Sequence, residues 1–331
     1  MNRIGIDFGT ANTIIFKEGK GIVLNEPTVV AISQQANKII AIGNEAKTML
    51  GRTPNGIIAK RPLKNGAIAS YKITEAMMRY FLTKSLGVTK FIKPDVIVSV
   101  PTGSTSVEKR AIYEALLSAG ARKISLVFEP YLAALGAGMQ INESYANMIV
   151  NIGGGTTEIA IISLNGIVAW SSERVAGDAF NEYLSQHLKR KFSLNVGEQM
   201  SEYIKIQVGS VLPMNKPKTI EARGRDSITG LPKNILINSN DLIDAWRTPL
   251  NQIVSTIKKV LEKTPPELSS DIIDRGVVLS GGSANMRGLD FFLTKAIGVP
   301  FFIAEDPVFC VAKGTGIIIE EGLNVDNIVR I

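Results

Sequence analysis

The chain has 331 residues, a formal net charge of +7 at neutral pH and a hydrophobic fraction of 45%. This length is sufficient for two domains of ordinary size, each with its own hydrophobic core. No stretch reaches the ~20 apolar residues that a membrane-spanning helix requires. No basic run is interleaved with aromatic residues, so the positive charge does not indicate a nucleic-acid partner.

Cysteine and histidine are too scarce for several classes of site. The single cysteine, Cys310, cannot form an internal disulfide, and the single histidine, His187, argues against a His/Cys metal site. His187 lies in a charged helical stretch, residues 186–191, and we expect it on the surface. A strand-like run begins at Ile4, so we expect no secretory signal and a cytoplasmic protein.

The first half alternates between predicted strands and helices. Apolar β-branched runs predict strands, and apolar residues at helical spacing predict helices. The strands are predicted at 4–6, 14–16, 39–43, 96–100 and 124–128, with two more within 21–32 that are separated at Pro27. The helices are predicted at 44–50, 74–86 with Thr74 as N-cap, 106–119 and 131–137 after Pro130. This alternation indicates parallel pairing in an α/β domain, with a small mixed subdomain near residues 21–51.

The second half repeats the scheme with an inserted piece. A helix capped by residues 239–241 is predicted to break at Pro249 and to resume as far as Lys263. The other predicted elements are strands at 168–172 and 277–280, short strands between 218 and 237, and helices at 177–192, 200–208 and 286–296.

Three consecutive glycines, Gly153, Gly154 and Gly155, lie between two β-branched runs in the middle of the chain. They predict a tight turn between two strands. Successive amide N–H groups in such a turn form a concavity suited to a phosphate, and Thr156 and Thr157 add hydroxyl groups. Taken alone, the pattern also fits an ordinary glycine-rich hairpin tip.

The N-terminus repeats this pattern in residues 4–16, IGIDFGTANTIIF. Asp7 takes the position of Asn151, and Gly9 that of Gly153. Two similar strand–turn–strand units predict two related domains that face one another, each with a phosphate-binding hairpin in a shared cleft. A third glycine turn, at Gly281, permits close packing of a flat base or ribose.

Four motifs, in this order and separation, resemble those of the actin/hexokinase/heat-shock chaperone superfamily. They are Asp7-Phe8-Gly9-Thr10, Glu129-Pro130, Gly153-Gly154-Gly155-Thr156-Thr157-Glu158 and Leu279-Ser280-Gly281-Gly282. Longer phrases are similar to the MreB family of bacterial actins, including its Mbl paralogues, over essentially the whole chain. These phrases are GIVLNEP at 21–27, GRTP at 51–54, KTPPEL at 263–268 and DIIDRG at 271–276.

The resemblance implies an α/β, actin-like fold of two related RNase H-like domains, each with a smaller inserted subdomain. ATP and Mg²⁺ would occupy the cleft between the domains. The implied division is 1–31, 66–144 and 314–331 for subdomain IA, 32–65 for IB, 145–179 and 245–313 for IIA, and 180–244 for IIB.

The resemblance also implies the roles of the motif residues. Glu129 stands at the family's water-activating glutamate and Thr156 at its helper, although a first-turn carboxylate stabilised by the helix dipole is the alternative for Glu129. Asp7 would hold Mg²⁺ through water, while Glu202 and Lys205 match the ribose and adenine-side contacts. The implied nucleotide-binding residues are Asp7, Gly9, Thr10, Ala11, Asn12, Thr13, Asn151, Gly153, Gly154, Gly155, Thr156, Thr157, Glu202, Lys205, Gly281, Gly282 and Ser283.

Two residues depart from the family pattern. Asn151 and Ser70 stand where the family has aspartate. An amide carries no negative charge, so Asn151 should hold a hydrated Mg²⁺ less well and orient an attacking water less well than aspartate. We therefore expect nucleotide binding to be retained and turnover to be slow.

The segment 89–94, TKFIKP, is a candidate membrane contact. Phe91 and Ile92 are flanked by Lys90 and Lys93, so they could enter a bilayer whose anionic headgroups attract the lysines. The alternative is that the two apolar side chains fold back onto a neighbouring helix. The family favours insertion, and because we expect no N-terminal amphipathic helix, binding should require many copies in one filament.

The function that the resemblance implies is that of an ATP-binding cytoskeletal protein. Its protomers would stack head to tail, pair as antiparallel double protofilaments on the inner face of the cytoplasmic membrane, and organise cell-wall synthesis with membrane proteins of the elongation machinery. A scaffold that binds nucleotide without hydrolysis is an alternative that Asn151 keeps open. A small-molecule kinase of the same superfamily is another alternative, but the sequence shows no signature of an acceptor pocket. A heat-shock chaperone would need a peptide-binding domain beyond Gly322. The sequence does not distinguish ATP from GTP.

Overall fold

The computed structural model describes residues 2–64, 66–68, 70–87 and 93–323. The strands are β1 (Arg3–Phe8), β2 (Asn12–Lys17), β3 (Gly21–Pro27), β4 (Val30–Ser33), β5 (Lys38–Ile42), β6 (Ile57–Lys60), β7 (Leu63–Lys64), β8 (Ala67–Ile68), β9 (Asp95–Val100), β10 (Lys123–Phe128), β11 (Asn147–Ile152), β12 (Thr157–Ser163), β13 (Gly166–Glu173), β14 (Leu194–Asn195), β15 (Thr219–Asp226), β16 (Pro232–Asn238), β17 (Val277–Ser280) and β18 (Phe301–Ile303).

The helices connect these strands and cover the sheets. They are α1 (Asn44–Met49), α2 (Tyr71–Leu86), α3 (Ser106–Ala119), α4 (Glu129–Gly136), α5 (Gly177–Phe192), α6 (Glu198–Val208), α7 (Arg247–Glu262), α8 (Pro266–Arg275), α9 (Leu289–Ile297) and α10 (Cys310–Glu321). Short 3₁₀ helices lie at Ser239–Trp246, Gly282–Asn285 and Pro307–Phe309.

Two five-stranded sheets share one topology. Their strand orders are β3-β2-β1-β9-β10 and β13-β12-β11-β17-β18. In each sheet the first three strands in sequence form an antiparallel meander, the fourth pairs parallel with the first, and the fifth pairs parallel with the fourth. The two related halves predicted from the repeated hairpin are therefore present, but the predicted parallel pairing holds for only part of each sheet.

A layer of two helices joins the halves. α4 packs against α10, with α4 also contacting β11 and β12, and α10 contacting β1 and β2. Their shared core includes Leu132 and Ile318 from the helices and Ala160 and Ile162 from β12. Because β11 and β12 are covered on both faces, every residue in these two strands is buried, which explains the apolar runs at 148–150 and 159–162.

Each half also carries a smaller sheet. β4, β5 and β6 form one, covered by α1, and β14, β15 and β16 form the other. The predicted break after Pro27 is confirmed by the end of β3. These small sheets lie in the two regions where we predicted inserted subdomains.

Several predicted helix bounds are wrong. α2 begins at Tyr71 with Ser70 as N-cap, and Thr74 is buried inside it. The helix predicted from Met286 begins at Leu289, after a 3₁₀ turn. Pro249 does not break a helix, because it lies in the first turn of α7, where a missing N–H group is tolerated.

The prediction that His187 lies on the surface is wrong. The residue is 5% exposed, and its Nε2 atom is 2.8 Å from the carbonyl oxygen of Asp241. Phe180, Leu184 and Leu188 share its buried face of α5, so the apolar periodicity outweighs the surrounding charges. Burial lowers the pKa of His187.

Candidate functional site

A cavity of about 400 Å³ separates the two halves at the ends of β1 and β11. Both glycine hairpins, the start of α4, the start of α5, α6 and the turn after β17 contribute to its walls. Its size is in the range of small-molecule sites, and its walls come from both halves, as expected for a shared cleft.

The two hairpins have the same turn. Asp7 lies opposite Ile14 in the first, and Asn151 lies opposite Glu158 in the second. The amide of Gly9 donates to the carbonyl oxygen of Asn12 at 3.1 Å, and the amide of Gly153 donates to that of Thr156 at 2.9 Å. The repeat seen in the sequence is therefore a repeat of backbone geometry.

The second hairpin is braced by the start of α5. The amides of Gly177 and Asp178 donate to the carbonyl oxygens of Gly153 and Gly154, at 3.1 and 2.7 Å. These bonds occupy two carbonyl groups of the turn. The amide groups of the turn and Thr156 therefore remain to face the cavity.

The hairpins meet at Gly154 and Ala11. A Cβ atom at residue 154 would lie 2.8 Å from the Cβ atom of Ala11 and 3.1 Å from its amide nitrogen. Only glycine therefore permits this approach of the two halves. An anion between the hairpins would be in reach of both turns.

Three of the residues singled out in the sequence do not line the cavity. Thr13 and Thr157 are fully buried behind the turns. The Thr13 hydroxyl contacts that of Thr28 at 2.9 Å, and the Thr157 hydroxyl donates to the carbonyl oxygen of Val175 at 2.6 Å. These threonines support the hairpins from within, while Ser70 lies at the start of α2.

Two carboxylates occupy the floor of the cavity. Glu129 is the first residue of α4, so the helix-dipole interpretation and a role in the cavity are compatible. Burial raises the pKa of Glu129 well above its ordinary value, and the charges of Glu158 and Asp7 raise it further. Burial raises the pKa of Asp7 to about 7, although the Ser99 hydroxyl donates to its Oδ1 at 3.1 Å.

Asn151 lines the same floor on the side of the second hairpin. Its Oδ1 accepts a hydrogen bond from the Ser280 hydroxyl at 3.1 Å. The amide side chain therefore has a fixed neighbour and adds no negative charge to a floor that already holds Glu129 and Asp7.

The far end of the cavity is formed by α6 and the turn after β17. Glu202 lines it and forms an ion pair with Lys47 at 3.3 Å. The Lys205 ammonium group donates to the carbonyl oxygen of Gly177 at 2.8 Å, and burial lowers the pKa of Lys205 to about 8. Gly281, Gly282 and Ser283 complete this wall.

Asp178 is a cavity residue that sequence reasoning missed. It follows Gly177 at the start of α5, and burial raises its pKa while Arg61 and Lys205 lower it. The sequence signal that could have indicated Asp178 is an acidic residue directly after a glycine at the start of a predicted helix. Arg61 was also missed, although it donates to the carbonyl oxygens of Thr10 and Ala11.

The donor set fits a metal ion only if a polyphosphate supplies part of its coordination. Among the described residues, no group of three or more His, Cys, Asp or Glu side chains could hold a metal ion. Mg²⁺ is commonly held by one or two carboxylates together with waters and substrate phosphates. Asp7 is placed to act in this way, and such an ion would offset negative charge on the phosphates.

Solved structures with a similar fold are actin-like proteins. MreB5 of Spiroplasma citri bound to ADP superposes with a TM-score of 0.92 at 31% identity, over 97% of this chain and 98% of that chain. The same protein bound to AMPPNP gives 0.92 at 32% identity, over 97% and 99%. A MamK double helical filament gives 0.81 at 20% identity, over 96% and 99%, which shows the fold alone. The chain has the actin-like fold.

Proteins of similar sequence are cell shape-determining proteins. Mbl of Bacillus cereus is 50% identical over 325 residues, 98% of this chain and 97% of that protein. MreB of Escherichia coli is 47% identical over 321 residues, 95% of this chain and 92% of that protein. The family model for MreB/Mbl protein matches residues 1–327. The chain belongs to the MreB/Mbl family.

Proposed function

We propose that this protein binds ATP with Mg²⁺ in the cleft and polymerises into filaments that help to determine cell shape. The observation that carries the proposal is the pair of equivalent hairpins, which approach one another at Gly154 and Ala11. Backbone amides of two such turns can neutralise a polyphosphate without dedicated lysines. The ADP and AMPPNP complexes of MreB5 support a nucleotide in this cleft.

Each wall of the cleft takes one part of the nucleotide in this proposal. The two hairpins hold the phosphates, and Asp7 contacts Mg²⁺ through water. Glu202 and Lys205 lie on the ribose and adenine side, with Gly281, Gly282 and Ser283 against the base. The four-subdomain division belongs to the same proposal, with the nucleotide between the two larger subdomains.

Hydrolysis requires a water in line with the γ-phosphate and a group that orients or deprotonates it. Glu129 takes this role in the proposal, with Thr156 as its helper on the opposite side of the floor. Burial and the charges of Glu158 and Asp7 raise the pKa of Glu129. Slow turnover is expected because Asn151 adds no negative charge to the floor, and a scaffold that binds nucleotide without hydrolysis is the second candidate for the same reason.

Replacing Asn151 by aspartate should raise the rate of phosphate release. Hydrogen bonds to an ionised acceptor are roughly twice as strong as neutral ones, and ~1.4 kcal/mol of transition-state stabilisation gives about a tenfold gain. Phosphate release by Asn151→Asp is compared with that by Asn165→Asp, which adds the same charge at an exposed turn. An equal rate in the two variants would show that Asn151 does not limit turnover.

Filament growth requires two different surfaces that fit one another. Exposed apolar side chains occur at the β15–β16 hairpin, where Ile228 is 82% exposed and Leu231 is 64% exposed, and at α9, where Phe291 is 72% exposed. Head-to-tail stacking of protomers is the family-based proposal for this contact. Pairing of such filaments into antiparallel double protofilaments is part of the family-based proposal.

Sedimentation with ATP and parallel measurement of phosphate release test the proposed function. The purified protein should pellet with ATP and release phosphate slowly. Pelleting without phosphate release would favour the scaffold. Phosphate transfer to a small acceptor without pelleting would contradict the filament proposal and favour a kinase.

The membrane proposal concerns residues that the structure does not describe. Lys90, Phe91 and Ile92 lie outside the described residues, while Lys93 is described and exposed. Within the described part of the chain, no helix has the length and apolar character needed to cross a bilayer. We propose that Phe91 and Ile92 attach filaments to the inner face of the cytoplasmic membrane, where proteins of the wall-elongation machinery are the partners.

Replacing Phe91 and Ile92 by serine should abolish co-sedimentation with anionic liposomes. Each copy contributes only two apolar side chains, so attachment depends on many copies and should fail when both are lost. Leu164→Ser with Val168→Ser, two exposed apolar residues elsewhere, is the matched control. Unchanged pelleting of the Phe91/Ile92 variant would show that these two residues do not attach the protein to the membrane.

A further inference from the structure

Glu158 is a buried carboxylate at the boundary between the two halves. It is 0% exposed and is the second residue of β12, opposite Asn151 in the second hairpin. Side chains alternate along a strand, and the next residues on its face, Ala160 and Ile162, belong to the core shared with the first half. Glu158 is therefore the polar end of an otherwise apolar contact surface.

The carboxylate of Glu158 bridges the halves. Its Oε2 accepts hydrogen bonds from the amide of Thr102, at 3.0 Å, and from the Thr102 hydroxyl. Its Oε1 accepts one from the Ser172 hydroxyl at 2.6 Å. Thr102 follows β9 in the first half, whereas Ser172 is on β13 in the second half. Such charge-assisted bonds compensate the cost of burying the charge.

The loop that carries Thr102 is fitted closely to the second half. A Cβ atom at Gly103 would lie 2.8 Å from the Cβ atom of Ser172. Thr156 precedes Glu158 by two residues on the same hairpin, and burial raises the pKa of Glu158. One carboxylate thus joins the first half to β13 of the second half, two residues from the proposed catalytic threonine.

We propose that Glu158 is a positioning residue that holds the second hairpin against the first half, so that Thr156 and Glu129 keep their places across the floor of the cleft. Among the described residues no hydrogen bond orients the Glu129 carboxylate, whose pKa responds only to burial and to nearby charges. Its position relative to Thr156 depends on the contact between the halves. This inference rests on the proposed function only for its effect on hydrolysis.

Amide hydrogen exchange in the segment 101–104 tests the bridge without nucleotide. Glu158→Gln removes the charge, and Thr102→Val removes the hydroxyl donor at nearly constant shape. Exchange should become about tenfold faster in Glu158→Gln, since hydrogen bonds to charged groups contribute most to local protection. Thr102→Val should show a smaller increase in the same segment, and Thr102→Ser, which keeps the hydroxyl, should exchange like the wild type.

Phosphate release tests the positioning role. Thr102→Val, which leaves every charge in place, should release phosphate about tenfold more slowly with the KM for ATP changed less than ~3-fold, and Thr102→Ser should release it at the wild-type rate. Unchanged exchange in Glu158→Gln and Thr102→Val would overturn the bridge. Faster exchange with an unchanged rate would overturn the positioning role. Absence of phosphate release from the wild type would refute the proposed hydrolysis instead, and the exchange data would still decide whether the bridge exists.

Discussion

Gly154→Val should weaken ATP binding by about 100-fold. A side chain at residue 154 would collide with Ala11, because a Cβ atom there lies 2.8 Å from the Cβ atom of Ala11. Overpacking of this kind forces the backbone to move, at a cost of ~1–3 kcal/mol in stability. Separating the hairpins relieves the collision and also removes amide groups from the phosphates, so the cost falls on nucleotide affinity.

Gly197→Ala is the matched control for this substitution. Gly197 precedes α6, near the cleft, and a Cβ atom there would meet no atom within 4 Å. Its ATP dissociation constant should stay within ~3-fold of the wild-type value. Titration calorimetry gives both constants, and wild-type affinity in Gly154→Val would show that the approach of the hairpins is not needed for binding.

Glu129→Gln should lower phosphate release by about 100-fold or more, which is the contribution of a positioned general base. The amide retains size and hydrogen bonding but cannot take a proton from water. ATP affinity should change little, because the role proposed for Glu129 is on the attacking water rather than on the phosphates. Glu143→Gln, at an exposed residue, should leave phosphate release unchanged.

The pH dependence of the wild type tests the same assignment. The base must be deprotonated, so phosphate release should rise with pH through the pKa of Glu129. Burial, together with the charges of Glu158 and Asp7, places this pKa well above that of an exposed glutamate. A rate that is already constant from pH 5 upward would contradict Glu129 as the base.

The repeated hairpins show how much of the fold was predictable from sequence. Asp7 and Asn151 were aligned by pattern alone, and their strands occupy the same place in two sheets of equal topology. Glycine turns and β-branched runs are local signals, so they can be recognised in the sequence without knowledge of tertiary contacts. The order of β17 and β18 beside β11 depends on contacts distant in sequence, and the local patterns did not contain it.

The residues that sequence reasoning misjudged depend on tertiary packing. His187 is surrounded by charges in sequence, but α5 turns it inward against Asp241. Thr13 and Thr157 belong to the hairpin motifs, but strand alternation directs them away from the cavity. The bond between Glu158 and Thr102 joins residues that are 56 positions apart, and no local pattern indicates it.

Electron microscopy of the purified protein with and without ATP tests directly whether nucleotide in the cleft controls filament assembly. We expect filaments of the wild type with ATP, and none from Gly154→Val under the same conditions. Filaments that form equally well without nucleotide, or equally well from Gly154→Val, would contradict it.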